Sequence, residues 1–258
     1  MNIVGGLILI VFAATFPQSE ARDTINQGVR AFRNADYKAA VEYFKQALDL
    51  DPNMATAEIY LATAYAQQYV PGGRGADNEK NAQMAIQTFE NVLRRDPNNL
   101  NALAGLASIY FNLGQSDTKQ LQKSKEFYTK YAQLDSTNPI PYYTIGVLDW
   151  LIVYDKNNTS STDEKSKVID EGLASIDNAL ALNPNFDDAM TYKNLLFREK
   201  ARLVFDPTEK ARLITLADDW FNIALETRKK NSQRRQYGVP QTGGNVITAP
   251  PPPPSPRQ

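Results

Sequence analysis

Residues 28–52 read G-V-R-A-F-R-N-A-D-Y-K-A-A-V-E-Y-F-K-Q-A-L-D-L-D-P, and the fold of the chain can be predicted from this stretch. Small and apolar residues recur at helical spacing on both sides of the polar break Asn-Ala-Asp. In the second half Ala40, Phe44 and Ala47 share one stripe, and Pro52 ends the helix. The stretch therefore predicts a helical hairpin. One such hairpin cannot bury its apolar face without copies stacked beside it.

The spacing of this stripe, four residues and then three, returns along the chain, as a stack of hairpins requires. The later copies of the stripe are Ala85, Phe89 and Val92; Ser124, Tyr128 and Tyr131; Gly172, Ile176 and Ala179; and Ala217, Phe221 and Ala224. A turn that contains proline comes directly after each of the first four copies and separates it from the next hairpin. The periodicity predicts an all-α chain of about five helical hairpins, folded as one domain over residues 22–232.

Composition excludes several classes of site. The chain of 258 residues has no cysteine and no histidine, which removes disulfides, Cys/His zinc sites, cysteine nucleophiles and imidazole-based triads. Residues 72–75 are glycine-rich but lack the flanking Gly-Lys-Ser/Thr and strand of a phosphate-binding loop. Residues 155–166 lack the glycine and the closing glutamate of a calcium loop. We therefore predict no catalytic residue, no cofactor and no metal.

Charge gives no reason to expect a nucleic-acid partner, because 28 lysines and arginines nearly balance 29 aspartates and glutamates. An accessory domain of an enzyme that uses carboxylate, tyrosine or lysine groups stays open as an alternative. Adjacent acids such as Asp187 and Asp188 do not share a helix face, so they indicate surface or helix-end charges instead.

The N-terminus is apolar. Residues 3–16 (I-V-G-G-L-I-L-I-V-F-A-A-T-F) carry no charge and are shorter than the roughly 20 residues that span a bilayer. This length suits the core of a signal peptide, with cleavage expected after Ala21. An uncleaved anchor in the inner membrane or an ordinary N-terminal helix over residues 1–21 are the alternatives. The first two readings predict an exported protein, either periplasmic or associated with the cell envelope.

The C-terminus changes in composition. From residue 233 the helical pattern ends, and the chain continues with a Gly-Gly pair and five consecutive prolines at residues 250–254. Such a segment cannot pack a core. We predict a disordered, proline-rich tail over residues 233–258.

The hairpin of Gly28, Tyr37, Ala40, Phe44, Ala47 and Pro52 resembles a tetratricopeptide repeat, in which small and large residues interlock two helices, A and B. The resemblance covers roughly residues 22–230 and implies a right-handed superhelical solenoid. The segments at residues 102–110 and 141–150 are similar to exported tetratricopeptide repeat proteins of environmental bacteria. That group implies no specific activity.

Helix A lines the concave face in proteins of this family, so the resemblance also implies a binding groove. In the family register the groove-facing residues are Ile25, Val29, Phe32, Arg33, Ile59, Thr63, Gln67, Ala104, Ser108, Phe111, Asn112, Tyr143, Val147, Trp150 and Leu151. Contacts to a peptide are predicted at Phe32, Arg33, Thr63, Phe111, Asn112, Tyr143 and Trp150. The other interpretation is that several of these side chains pack against the next repeat.

The expected function is a non-enzymatic scaffold that binds a peptide or a partner helix in this groove, in the bacterial cell envelope. The alternative is an adaptor tethered to the membrane through residues 1–21 that acts through its proline-rich tail.

Overall fold

The computed structural model describes residues 16–236, and within this range every regular element is an α-helix, as expected. Residues 1–15 and 237–258 lie outside the described range, and with them most of the predicted signal or anchor and of the predicted tail. The helices are α1 (Phe16–Arg33), α2 (Tyr37–Leu50), α3 (Ala55–Gln68), α4 (Ala76–Arg95), α5 (Leu100–Gly114), α6 (Lys119–Leu134), α7 (Pro139–Tyr154), α8 (Thr162–Leu182), α9 (Asp187–Leu203) and α10 (Pro207–Gln236).

Short polar segments between the helices provide caps for the helix starts. Asp36 accepts a hydrogen bond from the backbone N–H of Ala39 at 3.1 Å, at the beginning of α2. Asn99 accepts one from the backbone N–H of Ala102, also at 3.1 Å, at the beginning of α5. Each oxygen satisfies a donor that has no partner inside its helix, so these residues locate the ends of the hairpins.

The chain divides into two compact units at residues 116 and 117, and each is described by itself. The described part of the first unit contains α1 to α5. In this unit α1 pairs with α2 and α3 pairs with α4, while α3 contacts both α1 and α5. Phe44 is fully buried beneath Gly28, where an added Cβ atom would lie 2.5 Å from the ring. The residue expected to interlock the first hairpin does so because glycine leaves space for the ring.

The described part of the second unit contains α6 to α10. Here α7 pairs with α8 and α9 pairs with α10, while α6 lies against α7 and α8 lies against α9. Ile176 is fully buried and faces Gly146, repeating the arrangement of Phe44 on Gly28. The same interlock therefore recurs in both units.

The prediction of one domain over residues 22–232 stays a prediction. Two helix bounds differ from the sequence-based expectations. Helix α1 begins at Phe16, not at residue 22, and includes the fully buried Ala21. Helix α10 continues to Gln236, past the expected start of the tail. Within the described residues no helix has the length and apolar character needed to cross a membrane.

Candidate functional site

The A helices of the first unit present a surface that is mostly polar. Arg33 at the end of α1 is exposed, and Phe32 beside it is half-buried with its ring edge against Tyr37, 5.2 Å between centroids. Thr63 on α3 is half-buried, and its hydroxyl donates to the backbone carbonyl of Ile59 at 2.7 Å. These three predicted contact residues are thus accessible in whole or in part.

Helix α5 completes this surface. Asn112 is half-buried, whereas Phe111 is buried and forms part of the core of the unit. The register also places the exposed Gln67 on α3 and Ser108 on α5 among the groove-facing residues. We call the residues Phe32, Arg33, Thr63, Gln67, Ser108 and Asn112 the unit 1 A-face. Arg33 is its charged member, so the face combines hydrogen-bonding groups with a single positive charge.

The second unit places the other two predicted contact residues in an aromatic cluster. Tyr143 on α7 is 1% exposed, and its ring lies 4.7 Å from Phe186 and 5.7 Å from Tyr192, centroid to centroid. Burial raises the pKa of the Tyr143 hydroxyl. Trp150 is 6% exposed, stacks on Tyr154 at 4.7 Å and meets Tyr192 edge-on at 5.7 Å.

These rings join α7 to α9, so a partner can reach Tyr143 or Trp150 only if the helices rearrange. The buried indole N–H of Trp150 has no hydrogen-bond partner in the described part of the chain. The assignment of Tyr143 and Trp150 to a binding groove stays a prediction. In the structure both side chains pack between α7 and α9.

An ion cluster that runs from a buried carboxylate to the surface lies between α6, α7 and α8. Lys125 Nζ lies 2.6 Å from Asp149 Oδ1 and 2.8 Å from Glu171 Oε2. Asp149 is fully buried, and burial raises the pKa of its carboxyl to about 7 even though Lys125 favours the charged form. Lys125 and Glu171 also line an open cleft of about 330 Å³.

Sequence reasoning missed this cluster, although a signal was present. Tyr65 and Tyr110 each follow the small residue of their A helix by three positions, and the same position in the next repeat holds Asp149. A carboxylate where the preceding repeats place tyrosine indicates a buried charge that needs a partner. The partner itself, Lys125, lies on another helix and has no sequence signal of its own.

Several other acidic groups take part in ion pairs and turns. Arg228 binds Asp187 at 2.8 Å and Asp188 at 3.0 Å, which joins α10 to the start of α9. Asp155 accepts from the Thr118 hydroxyl at 2.8 Å and from the backbone N–H of Asn157 at 3.0 Å. Across residues 16–236 no group of three or more acidic side chains is arranged to hold a metal ion.

Comparison with known proteins identifies the repeats. Two family models, both described as tetratricopeptide repeat, match residues 25–79 and 88–121. These two stretches are tetratricopeptide repeats, as the sequence predicts. A search of curated proteins finds no match.

Solved structures with a similar fold include several of MamA. A crystal structure of MamA is 18% identical, with a TM-score of 0.57, and the match covers 80% of this chain and 96% of that one. MamA from Desulfovibrio magneticus RS-1, residues 41 to the end, is 15% identical with a TM-score of 0.58, covering 82% and 96%. At this level of identity the likeness shows the fold alone, which is that of a tetratricopeptide repeat solenoid.

Tetratricopeptide repeats serve in general as scaffolds for protein–protein interaction, and the repeats matched here support that class of function. The matched residues 25–79 contain four members of the unit 1 A-face.

Proposed function

We propose that the protein binds a partner peptide or helix on the unit 1 A-face and acts as a scaffold in the cell envelope. The observation that carries the proposal is the exposure of this face. Polar side chains and one aromatic ring are accessible on three A helices of one unit, and α3 lies in contact with the other two. Aromatic anchors among accessible hydrogen-bonding groups are typical of peptide-binding surfaces.

The composition of the face supports a particular kind of partner. Arg33 supplies a guanidinium with five donors, which suits a carboxylate or a backbone carbonyl. Thr63, Gln67, Ser108 and Asn112 supply further neutral donors and acceptors, and Phe32 supplies the apolar contact. The proposed partner is therefore an acidic or neutral peptide segment with at least one apolar side chain.

Location in the envelope rests on the uncharged stretch at residues 3–16. The N-terminal mass of the exported protein tests this part of the proposal. Cleavage after Ala21 gives a chain that begins at Arg22, and an uncleaved anchor gives the full mass. Recovery of the full-length chain only from the cytoplasm would overturn the proposed location.

The binding proposal is tested by affinity capture with a charge-reversed face. In Arg33→Glu with Asn112→Asp, two changes to accessible side chains add negative charge to the face without opening a cavity. We expect at least a tenfold loss of the recovered partner, together with an unchanged circular-dichroism melt.

The matched control is Lys38→Glu with Gln46→Asp, which makes the same charge change at exposed positions on helix α2 of the same unit. This control should recover the partner as the wild type does. Equal recovery by both variants, or equal loss in both, would show that the unit 1 A-face is not the binding surface.

A further inference from the structure

The last helix, α10, breaks a pattern of burial in the second unit. When the B helices are aligned on the stripe, Ile214, Phe221 and Leu225 of α10 correspond to three positions in α6 and three in α8. In α10 these side chains are 39%, 45% and 49% exposed, and we call them the α10 face. The corresponding side chains are buried or half-buried in both earlier helices: Leu121, Tyr128 and Ala132 in α6, and Ile169, Ile176 and Leu180 in α8.

The difference has a structural cause, because the next A helix covers each of the earlier B helices. The Tyr142 hydroxyl of α7 donates to the backbone carbonyl of Ala132 in α6 at 3.3 Å. At Gly172 in α8, an added Cβ atom would lie 3.3 Å from the Leu196 side chain of α9. Within residues 16–236 no further helix follows α10. The α10 face therefore has the composition of a covered surface without the cover.

Two charged residues belong to the same side of α10. Ile214, Asp218, Phe221, Leu225 and Arg228 are spaced by four, three, four and three residues, which is the heptad spacing of a helix that packs along a second helix. Asp218 lies five residues before the midpoint between Phe221 and Leu225, and Arg228 lies five residues after it. Both charged side chains are exposed. A stripe with apolar residues at its centre and opposite charges at equal distances on either side is complementary to its own reverse.

We propose that the α10 face binds the α10 face of a second copy of this chain, with the two helices antiparallel about a two-fold axis. In this register Phe221 lies against Leu225 of the second copy, and Asp218 lies against Arg228 of the second copy. A parallel pair would place Asp218 against Asp218 and Arg228 against Arg228, and like charges repel. The bonds of Arg228 to α9 use Nε and Nη2, which leaves the donors of Nη1 for the second copy.

The chemistry of α1 disfavours a head-to-tail stack, in which α1 of another copy would cover the α10 face. Between Gln18 and Arg33 the exposed side chains of α1 are all polar, among them Arg22, Asp23 and Arg30. Charged groups packed on Phe221 would lose water without gaining a partner. The α10 face of a second copy offers an apolar surface instead, so the two-fold arrangement matches like with like.

The test is sedimentation equilibrium of the full-length chain. The paired stretch from Ile214 to Arg228 is about 21 Å long at 1.5 Å per residue. Contacts of so small a size form weak, reversible dimers, so the concentration should range up to about 100 µM. We expect the wild type to dimerise in this range, and Leu225→Lys to raise the dissociation constant at least tenfold.

The matched control is Ile223→Lys, because Ile223 is also exposed but lies on the other side of α10. This variant should dimerise as the wild type does, and the circular-dichroism melts of both variants should match that of the wild type. A wild-type chain that stays monomeric up to about 100 µM would overturn the proposal. So would equal dimerisation of the two variants.

A second pair of variants tests the charges and leaves the apolar residues in place. Asp218→Lys places a cation against Arg228 of the second copy, so at low salt we expect a dissociation constant at least tenfold higher. Asp219→Lys makes the same charge change at the neighbouring exposed residue, which lies outside the heptad positions, and should leave dimerisation unchanged. Equal effects of the two changes would contradict the proposed register.

The orientation of the two helices can be measured with a spin label, since the chain has no cysteine of its own. Gln233→Cys places the label at an exposed residue near the end of α10. In the antiparallel pair the two labels should be about 30 Å apart, because each lies ten residues beyond the two-fold axis. A distance of about 10 Å would indicate a parallel pair and overturn the proposal.

Discussion

Asp149 shows how one residue can make the stability of a whole unit depend on pH. Its carboxylate is removed from water and faces Lys125, with Glu171 on the other side of the ammonium group. Burial outweighs the attraction to Lys125 and raises the pKa from 3.8 to about 7. The folded state therefore holds this proton more tightly than the unfolded state does.

The difference between the pKa of Asp149 in the folded state and in the unfolded state sets the direction in which stability changes with pH. Below about pH 4 the carboxyl is protonated in both states. Between about pH 4 and pH 7 the unfolded chain loses the proton first, so the contribution of Asp149 to the free energy of unfolding falls as pH rises. A difference of about 3 pH units corresponds to a loss on the order of 4 kcal/mol.

Asp149→Asn removes this titration and keeps the shape of the side chain. Relative to the wild type, we expect the variant to gain about 2 kcal/mol of stability between pH 5 and pH 7, because ionisation of Asp149 in the unfolded wild-type chain lowers the free energy of unfolding over that range. Urea denaturation of both proteins at several pH values measures the difference. Stability curves of the variant and the wild type that run parallel across this pH range would contradict the assignment.

Among the helices, α8 shows how local sequence sets where a helix begins. The Ser161 hydroxyl accepts from the backbone N–H of Glu164 at 3.2 Å, and the Glu164 carboxylate accepts from the backbone N–H of Ser161 at 2.8 Å. This capping box satisfies two donors that would otherwise lack partners. The hydrogen bonds from Ser161 also lower the pKa of Glu164.

Ser161→Ala removes one half of the capping box, and we expect it to lower the free energy of unfolding by about 1 kcal/mol. Amide exchange in the first turn of α8 should speed accordingly. Ser160→Ala is the matched control, because the Ser160 backbone N–H bonds to Asn158 Oδ1 and its own substitution leaves the capping box intact. A cost shared by both variants would show that the cap adds nothing.

Taken as a molecule, a repeat protein is held together by contacts between neighbouring hairpins. The hairpins need not all unfold together. The two compact units are the natural parts to unfold separately. The aromatic cluster around Trp150 belongs to the second unit, where it joins α7 to α9.

Trp150→Ala should therefore destabilise the second unit, at a cost of about 3–5 kcal/mol for a buried aromatic ring. We expect faster hydrogen exchange in α7 and α9, while α2 and α4 of the first unit keep their protection. Normal protection of α7 together with a loss of partner capture would instead show that Trp150 contacts the partner. Tyr154→Ala, at the 44% exposed ring of the same stack, should have a much smaller effect on exchange.

Much of the architecture could be predicted from local signals. The spacing of Ala40, Phe44 and Ala47, repeated along the chain, predicts helices, because a 3.6-residue period places these residues on one buried face. Proline turns and capping residues then locate many of the boundaries. The family and the all-α class depend on nothing more distant than one hairpin and its copies.

The candidate site could be predicted only in part. The register names the positions on helix A, but it does not say which side chains the neighbouring helices cover. Arg33 is exposed and Tyr143 is buried, although both occupy groove-facing positions in the register. Exposure depends on which rings lie opposite, and those belong to residues distant in sequence.

The repeat, its helices and the absence of cysteine and histidine chemistry are already set in the amino-acid sequence, because they depend on composition and on spacings within one hairpin. The packing of the helices was needed to show that Asp149 meets Lys125, that Trp150 packs between α7 and α9, and that Phe221 is left exposed on α10. Each of these outcomes depends on which helix packs beside which, and burial and charge pairing are properties of that packing rather than of any single segment.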